Sequence, residues 1–161
     1  SGESANGDYP VESVATMNRI DIKAENNVDK FGREVFDFDK SDVTDTTDSA
    51  VATAARDLGV KAIVAATASG YTARMISKYR PSADILALTF DERTERGLMI
   101  NWGVQPYVVE KPTSTDEMFE LASKKAKDLG FANVGDKIIV VAGLPIGQHG
   151  TTNMMRVQEV K

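Results

Sequence analysis

Three hydroxyl side chains surround a single glycine in residues 67–72, directly after a short apolar run. Thr67, Ser69 and Thr72 can each donate a hydrogen bond, and Gly70 allows the backbone to turn sharply. The residues that follow predict a helix, whose first turn would present unpaired N–H groups and the positive end of the helix dipole. Together these groups favour the binding of a phosphate. The alternative is structural, with Ser69 or Thr72 merely capping the helix.

A glycine-rich loop, GLPIGQHG at residues 143–150, follows a second apolar run and holds the only histidine of the chain, His149. If the two apolar runs form neighbouring parallel strands, both loops face each other across a crevice at the carboxyl ends of the strands, where ligands of doubly wound sheets bind. A protonated His149 would contact an anion there. A plain flexible hairpin with an incidental histidine is the alternative.

Composition excludes several other chemistries. The 161 residues carry a net charge of −5, so the chain lacks the dense basic face that nucleic acids need. With no cysteine and one histidine, it forms no disulfide, thiolate or two-histidine metal site, which fits a reducing cytoplasm. No apolar run approaches the roughly 20 residues of a membrane span. No carboxylate pair stands out as a general acid and base, and no Walker loop or dinucleotide fingerprint is present.

Regular elements follow one another from about residue 42 onward. Short apolar runs predict strands at 61–67, 84–89, 104–109 and 137–142, and an alternating pattern predicts a fifth strand at 153–160. Helical spacing predicts helices at about 50–58, 70–79, 92–102 and 114–129, the last of which opens with a capping box at Ser114 and Glu117. The face of the first of these helices is expected to contain Ala50, Val51, Ala54, Ala55 and Leu58.

This alternation of strands and helices predicts an α/β fold of three layers, because parallel strands need helical crossovers that cover both faces of the sheet. The loop before the fifth strand is too short for a helix, so that strand should run antiparallel at an edge. Pro10 predicts a further helix in residues 1–24, and the charged residues 25–41 predict a connector.

Three ordered motifs resemble pyruvate kinases. The first is SGESANGDYPVE at residues 1–12, the second is SGYTARMISKYRP at residues 69–81, and the third is the ending GTTNMMRV at residues 150–157. The likeness covers essentially the whole chain. It implies that residues 1–24 are the loop and last helix of a catalytic barrel, with 25–41 as the connector and 42–161 as the C-terminal regulatory domain.

The resemblance also implies a sheet order of 3-2-1-4-5 and the conversion of phosphoenolpyruvate and ADP into pyruvate and ATP, with Mg²⁺ and K⁺, by a cytoplasmic homotetramer. It places an effector phosphate at Thr67, Ser69, Gly70, Tyr71 and Thr72, and a closing loop at Gly147, Gln148, His149 and Gly150. Ser1, Gly2 and Glu3 would approach the active-site face of the barrel, whose catalytic residues lie upstream. This chain alone is therefore expected to be inactive.

The identity of the effector stays open at this stage. Fructose 1,6-bisphosphate, another sugar phosphate and AMP are all compatible with the resemblance, but residues 143–150 contain no arginine for a second phosphate. Two other functions remain. A flavodoxin-like carrier would use the same loop for the phosphate of FMN, but Trp102 and Tyr107 are not on obvious loops for stacking the flavin. The other is a pure oligomerisation module, a role that can coexist with that of a phosphate-binding regulatory domain.

Overall fold

The computed structural model describes residues 2–25, 41–146 and 150–161. The chain divides into two compact units, Ser1–Asp37 and Phe38–Lys161. The predicted connector at 25–41 therefore lies almost wholly outside the described residues, as do Ser1 and three residues of the predicted closing loop, Gly147, Gln148 and His149. No helix in the described ranges is long and apolar enough to cross a membrane.

The described residues of the first unit, 2–25, form two helices. A short α1 spans Gly2–Asn6, and the helix predicted from Pro10 is present as α2, Pro10–Glu25. The turn between them is held by a hydrogen bond from the N–H of Tyr9 to Oε1 of Glu3, at 3.3 Å. Pro10 occupies the first helical position, where the missing N–H of proline costs nothing.

The second unit is a sheet with helices on both faces, and we call it the sheet domain. Its elements in chain order are α3 (Val43–Leu58), β1 (Ala62–Ala66), α4 (Tyr71–Lys78), β2 (Asp84–Thr89), α5 (Glu92–Leu98), β3 (Val104–Val108), α6 (Thr115–Asp128), β4 (Lys137–Ala142) and β5 (Met154–Glu159).

The strand order is β3-β2-β1-β4-β5, which confirms the predicted order. Strand β1 pairs in parallel with β2 and with β4, in registers that set Ala66 beside Leu88 and Ala142. Strand β5 pairs antiparallel with β4, with Met154 opposite Ala142. The carboxyl ends of β1 and β4 therefore lie side by side, at the point where the strand order reverses.

Two apolar cores fill the space between the sheet and its helices, as a three-layer fold requires. On one face, alternate strand residues such as Val64, Leu86 and Val140 pack with Met118 and Ala122 of α6. The other face of the sheet packs against α3, α4 and α5 through a second cluster of buried residues, which includes Val51, Ala73, Ile76, Leu98, Ile63 and Ile139.

Two helices differ from the sequence prediction. The helix predicted to reach Trp102 ends at Leu98, because the apolar run that follows forms turns and exposes Ile100 to solvent at 92%. The buried face of α3 contains Thr44 and Asp48 together with Val51 and Ala55. The predicted face was therefore wrong at both ends, since Ala50 and Leu58 are exposed.

Candidate functional site

A cleft opens where β1 and β4 end. It encloses about 350 Å³ of space, including the part open to solvent. Its walls come from the segments that follow the two strands and from single residues of the neighbouring elements: Ala66, Thr67, Ala68, Ser69, Tyr71, Thr72, Phe90, Met118, Ala142, Gly143, Ile146, Gly150 and Thr151. The sequence-predicted segments therefore meet at one place.

The floor of this cleft is the N-terminus of α4, and no side chain caps it. Gly70 occupies the cap position with φ of +78° and ψ of 0°. The other three helices that begin in the sheet domain are capped by their own side chains, from Asp42 in α3, Asp91 in α5 and Ser114 in α6. The first-turn N–H groups of α4 therefore lack the side-chain acceptor that the other helices have.

Gly70 is needed for two reasons. Its positive φ is a conformation that L-residues adopt at a cost. In addition, a Cβ atom at this position would lie 2.7 Å from Nη1 of Arg74 and 3.0 Å from Cδ2 of Leu98. Arg74 also donates from Nη2 to the carbonyl oxygen of Ser69, at 3.0 Å. The sequence analysis missed Arg74, although its place one turn after Gly70 could have indicated a role in bracing the loop.

All three hydroxyl residues of the loop contribute to the cleft wall. Thr67 and Thr72 are almost fully buried, and Ser69 is half-buried. The hydroxyl of Thr72 accepts a hydrogen bond from Oγ1 of Thr152, at 3.1 Å. The N–H of Thr152 in turn donates to Oγ1 of Thr44, at 3.2 Å. Sequence reasoning missed Thr44 and Thr152, because neither lies near the loop in sequence.

The opposite wall follows β4. Gly143 packs so closely on Thr151 that an added Cβ would overlap the carbonyl oxygen of Thr151. Asn153 fixes the start of the loop through two bonds to the backbone of Leu144. Its Oδ1 accepts from the N–H of Leu144 at 2.8 Å, and its Nδ2 donates to the carbonyl oxygen at 2.9 Å. Of the predicted closing loop, Gly150 is described and contributes to the wall.

A larger open groove adjoins the cleft and shares Ile146 with it. The groove measures about 1110 Å³ including open solvent, and it lies between Leu144–Ile146 on one side and the residues before α6 on the other, Lys111, Pro112, Thr113, Ser114 and Thr115. Among the described residues of its wall, Lys111 alone carries a full positive charge. Four of the eight residues are apolar, namely Pro112, Leu144, Pro145 and Ile146.

The N-terminus of α6 beside this groove is already satisfied from within the chain. Oγ of Ser114 accepts from the N–H of Glu117 at 3.1 Å, as the predicted capping box requires. The carboxylate of Glu117 accepts from both the N–H and the hydroxyl of Thr113, at 2.7 Å each. These bonds lower the pKa of Glu117. A negative charge thus sits where a second anion would otherwise bind.

Other candidate groups lie elsewhere. Trp102 packs under the guanidinium of Arg80, 4.8 Å from the ring centre, and Tyr107 packs edge-on against Phe131. Neither ring lines the cleft, so neither is placed to stack a flavin there. Across the described ranges no three acidic or histidine residues converge in a group able to hold a metal ion.

Comparison with known proteins agrees with this architecture. The sequence profile described as "Pyruvate kinase, alpha/beta domain" matches residues 45–158. A pyruvate kinase from Lactococcus lactis subsp. lactis is 55% identical over 100% of this chain, and one from Lactobacillus delbrueckii subsp. bulgaricus is 52% identical over 98%. The crystal structure of a pyruvate kinase from Cryptosporidium parvum superposes with a TM-score of 0.79 at 30% identity, over 100% of this chain.

These relatives are much longer than the chain, which spans 32% of the Lactococcus protein, 28% of the Lactobacillus protein and 32% of the Cryptosporidium one. The match nevertheless extends over nearly all of the sheet domain and over the motifs on which the resemblance rested. The flavodoxin-like alternative has no support from these matches. The chain belongs to the pyruvate kinase alpha/beta domain family.

Proposed function

We propose that this chain is the C-terminal regulatory part of a pyruvate kinase and that it binds a phosphorylated effector. Residues 1–24 would be the loop and last helix of the catalytic barrel, 25–41 the connector and 42–161 the effector-binding domain. The complete enzyme would convert phosphoenolpyruvate and ADP into pyruvate and ATP in the cytoplasm, with Mg²⁺ and K⁺ held by residues outside this chain, and would work as a homotetramer.

The uncapped N-terminus of α4 is the observation that carries the effector site. Thr67, Ser69 and Thr72 line one cleft beside this N-terminus, and Gly70 offers no side chain to compete with a ligand. An anion would complete the hydrogen bonding of the helix and interact with its dipole. Tyr71 also lines the cleft and would contribute to the same contact.

The adjoining groove would receive the rest of the effector. Lys111 is available for a polar or charged end, whereas the apolar wall at Leu144 and Pro145 suits a sugar or base face. The carboxylate of Glu117 disfavours a strongly charged group at the start of α6. Fructose 1,6-bisphosphate, a sugar monophosphate such as ribose 5-phosphate, and AMP remain the effectors to test, and the groove favours the monophosphates.

Helix α2 supports the assignment of residues 1–24 to another domain. Its large apolar side chains are exposed to between 51% and 74% at Val11, Val14, Met17, Ile20 and Ile22. A soluble helix normally buries such residues against a partner element. We infer that the preceding part of a longer pyruvate kinase chain covers this helix.

A binding experiment on Thr72→Ala tests the effector site. The variant loses one hydrogen bond to a charged group, worth about 1.5–3 kcal/mol, which corresponds to a loss of affinity of roughly 10- to 150-fold. Calorimetric titration with ribose 5-phosphate, AMP and fructose 1,6-bisphosphate measures this loss. Thr89→Val is the matched control, since it removes the buried hydroxyl of Thr89, which has no hydrogen-bond partner. Equal affinity in folded Thr72→Ala and wild type would refute the assignment.

A further inference from the structure

Three buried threonines join parts of the sheet domain that are far apart in sequence. Thr152 lies just before β5, Thr72 lies in the first turn of α4, and Thr44 lies in the first turn of α3. The hydroxyl of Thr152 bonds to that of Thr72 at 3.1 Å, and its N–H bonds to that of Thr44 at 3.2 Å. Thr152 has no exposed surface, and the other two are 3% and 7% exposed. Water therefore cannot easily replace either bond.

The bond between the two hydroxyls has a consequence for Thr72. A hydroxyl has one proton to donate and two sites that accept. When Oγ1 of Thr72 accepts the proton of Thr152, its own proton stays available for another acceptor. Thr72 also lines the cleft at the uncapped N-terminus of α4. The contact thus prepares Thr72 to donate into the cleft.

The backbone around Thr152 is held firmly enough to act as a fixed support. Thr151 packs against Gly143, and the N–H of Asn153 donates to the carbonyl oxygen of Ala142 at 3.3 Å. Residue 152 lies between these two anchors and turns its side chain towards α4. Its hydroxyl is therefore placed by β4 and β5, 3.1 Å from the hydroxyl of Thr72 in α4.

We propose that Thr152 is a positioning residue for the effector phosphate, which it serves through the hydroxyl of Thr72 without touching the ligand. This inference rests on the proposed function of the cleft. In this proposal the loop at residues 67–72 does not orient the hydroxyl of Thr72 by itself. That role belongs to Thr152, which lies 80 positions away in sequence.

Affinity measurements on five variants test this role. Thr152→Val keeps the shape and the N–H bond to Thr44 but loses the hydroxyl, and we expect roughly a 3- to 10-fold loss of affinity for ribose 5-phosphate, the effect of one neutral hydrogen bond. Thr152→Ser should restore the affinity. In a Thr72→Val background, Thr152→Val should have no further effect. Thr89→Val again serves as the control, because it removes an equally buried hydroxyl with no partner.

A measurement without ligand tests the same contact independently. Three-bond couplings in isotope-labelled protein report the χ1 angle of Thr72. We expect a single rotamer in wild type, Thr152→Ser and Thr89→Val, and a mixture of rotamers in Thr152→Val. An unchanged Thr72 rotamer in Thr152→Val would overturn the inference. So would an equal loss of affinity when Thr152→Val is introduced into wild type and into Thr72→Val. If wild type bound no phosphate compound at all, the proposed function would fail. The couplings would still show whether Thr152 fixes the χ1 angle of Thr72.

Discussion

Asp48 makes the stability of the sheet domain depend on pH in an unusual direction. The residue has no exposed surface, and neither carboxylate oxygen has a hydrogen-bond partner. Burial and, to a smaller extent, the nearby carboxylates of Asp45 and Asp42 together raise the pKa of Asp48 to about 8, against the opposing positive charge of Lys78. The folded protein therefore holds a proton on Asp48 that the unfolded chain releases near its ordinary pKa of 3.8.

The sign and size of the effect follow from proton linkage. Below about pH 4 the carboxyl is protonated in both states and contributes no penalty. Between there and the raised pKa, only the unfolded chain loses the proton, so the free energy of unfolding falls by about 1.4 kcal/mol for each pH unit. Over the whole interval the loss is on the order of 5 kcal/mol, which is a large part of the stability of a typical domain.

Asp48→Asn removes this titration and isolates the effect. The buried amide has its own cost, so the informative quantity is the slope with pH and not the absolute stability. Urea unfolding of wild type and variant from pH 5 to pH 8, followed through the fluorescence of Trp102, measures both. We expect the free energy of unfolding of Asp48→Asn, relative to that of wild type, to rise by about 1 kcal/mol or more for each pH unit.

A matched control uses the same chemical change on the surface of the same helix. The side chain of Asp57 is 61% exposed, so Asp57→Asn makes the same chemical change at a position that water reaches. Parallel stability curves for wild type and Asp48→Asn between pH 5 and pH 8 would refute the reasoning, because they would show that Asp48 is not protonated in the folded protein.

Three further predictions concern the cleft and the helix caps. Gly70→Ala should weaken phosphate binding and lower stability by about 1–2 kcal/mol, since residue 70 has φ of +78°; an unchanged urea midpoint would contradict this. Asn153→Ala removes two bonds to the backbone of Leu144, so the amide of Leu144 should exchange faster with solvent, and an equal exchange rate would count against it. Asp91→Ala should destabilise α5 at neutral pH. The N–H of Thr94 lowers the pKa of Asp91, so this difference should vanish as the pH falls through that pKa, below 3.8; a difference that persists in acid would argue against the cap.

The strands were predictable because their boundaries are marked locally. The runs at 84–89 and 137–142 are continuous apolar segments, each preceded or followed by residues that favour turns, and the structure has both strands at these bounds. The strand order came from the resemblance to pyruvate kinases. Local patterns alone do not determine which strands are neighbours in the sheet. The end of α5 was not predictable in the same way, because Met99 and Ile100 continue the apolar pattern but point into solvent.

The site was predictable only as far as it is local. The sequence indicates a helix N-terminus with hydroxyls at 67–72, since all of these residues are neighbours. It does not indicate that Thr152 supports Thr72, or that Asp48 is buried without a partner, because both depend on packing between distant segments. Polar residues on a helix are normally assigned to its exposed face, so a pattern based on hydrophobicity places Asp48 on the wrong side.

The position of Thr152 bears on the order in which the molecule can fold. The cleft is built from residues near 70, 90, 118, 143 and 151, and its central hydroxyl contact joins residues 80 positions apart. Contacts of such long range form late, because the loop between them must first lose its entropy. A ligand bound as proposed would therefore recognise only molecules whose last strand has docked. Its binding would slow the detachment of β5, which is an edge strand and pairs with β4 alone among the described strands.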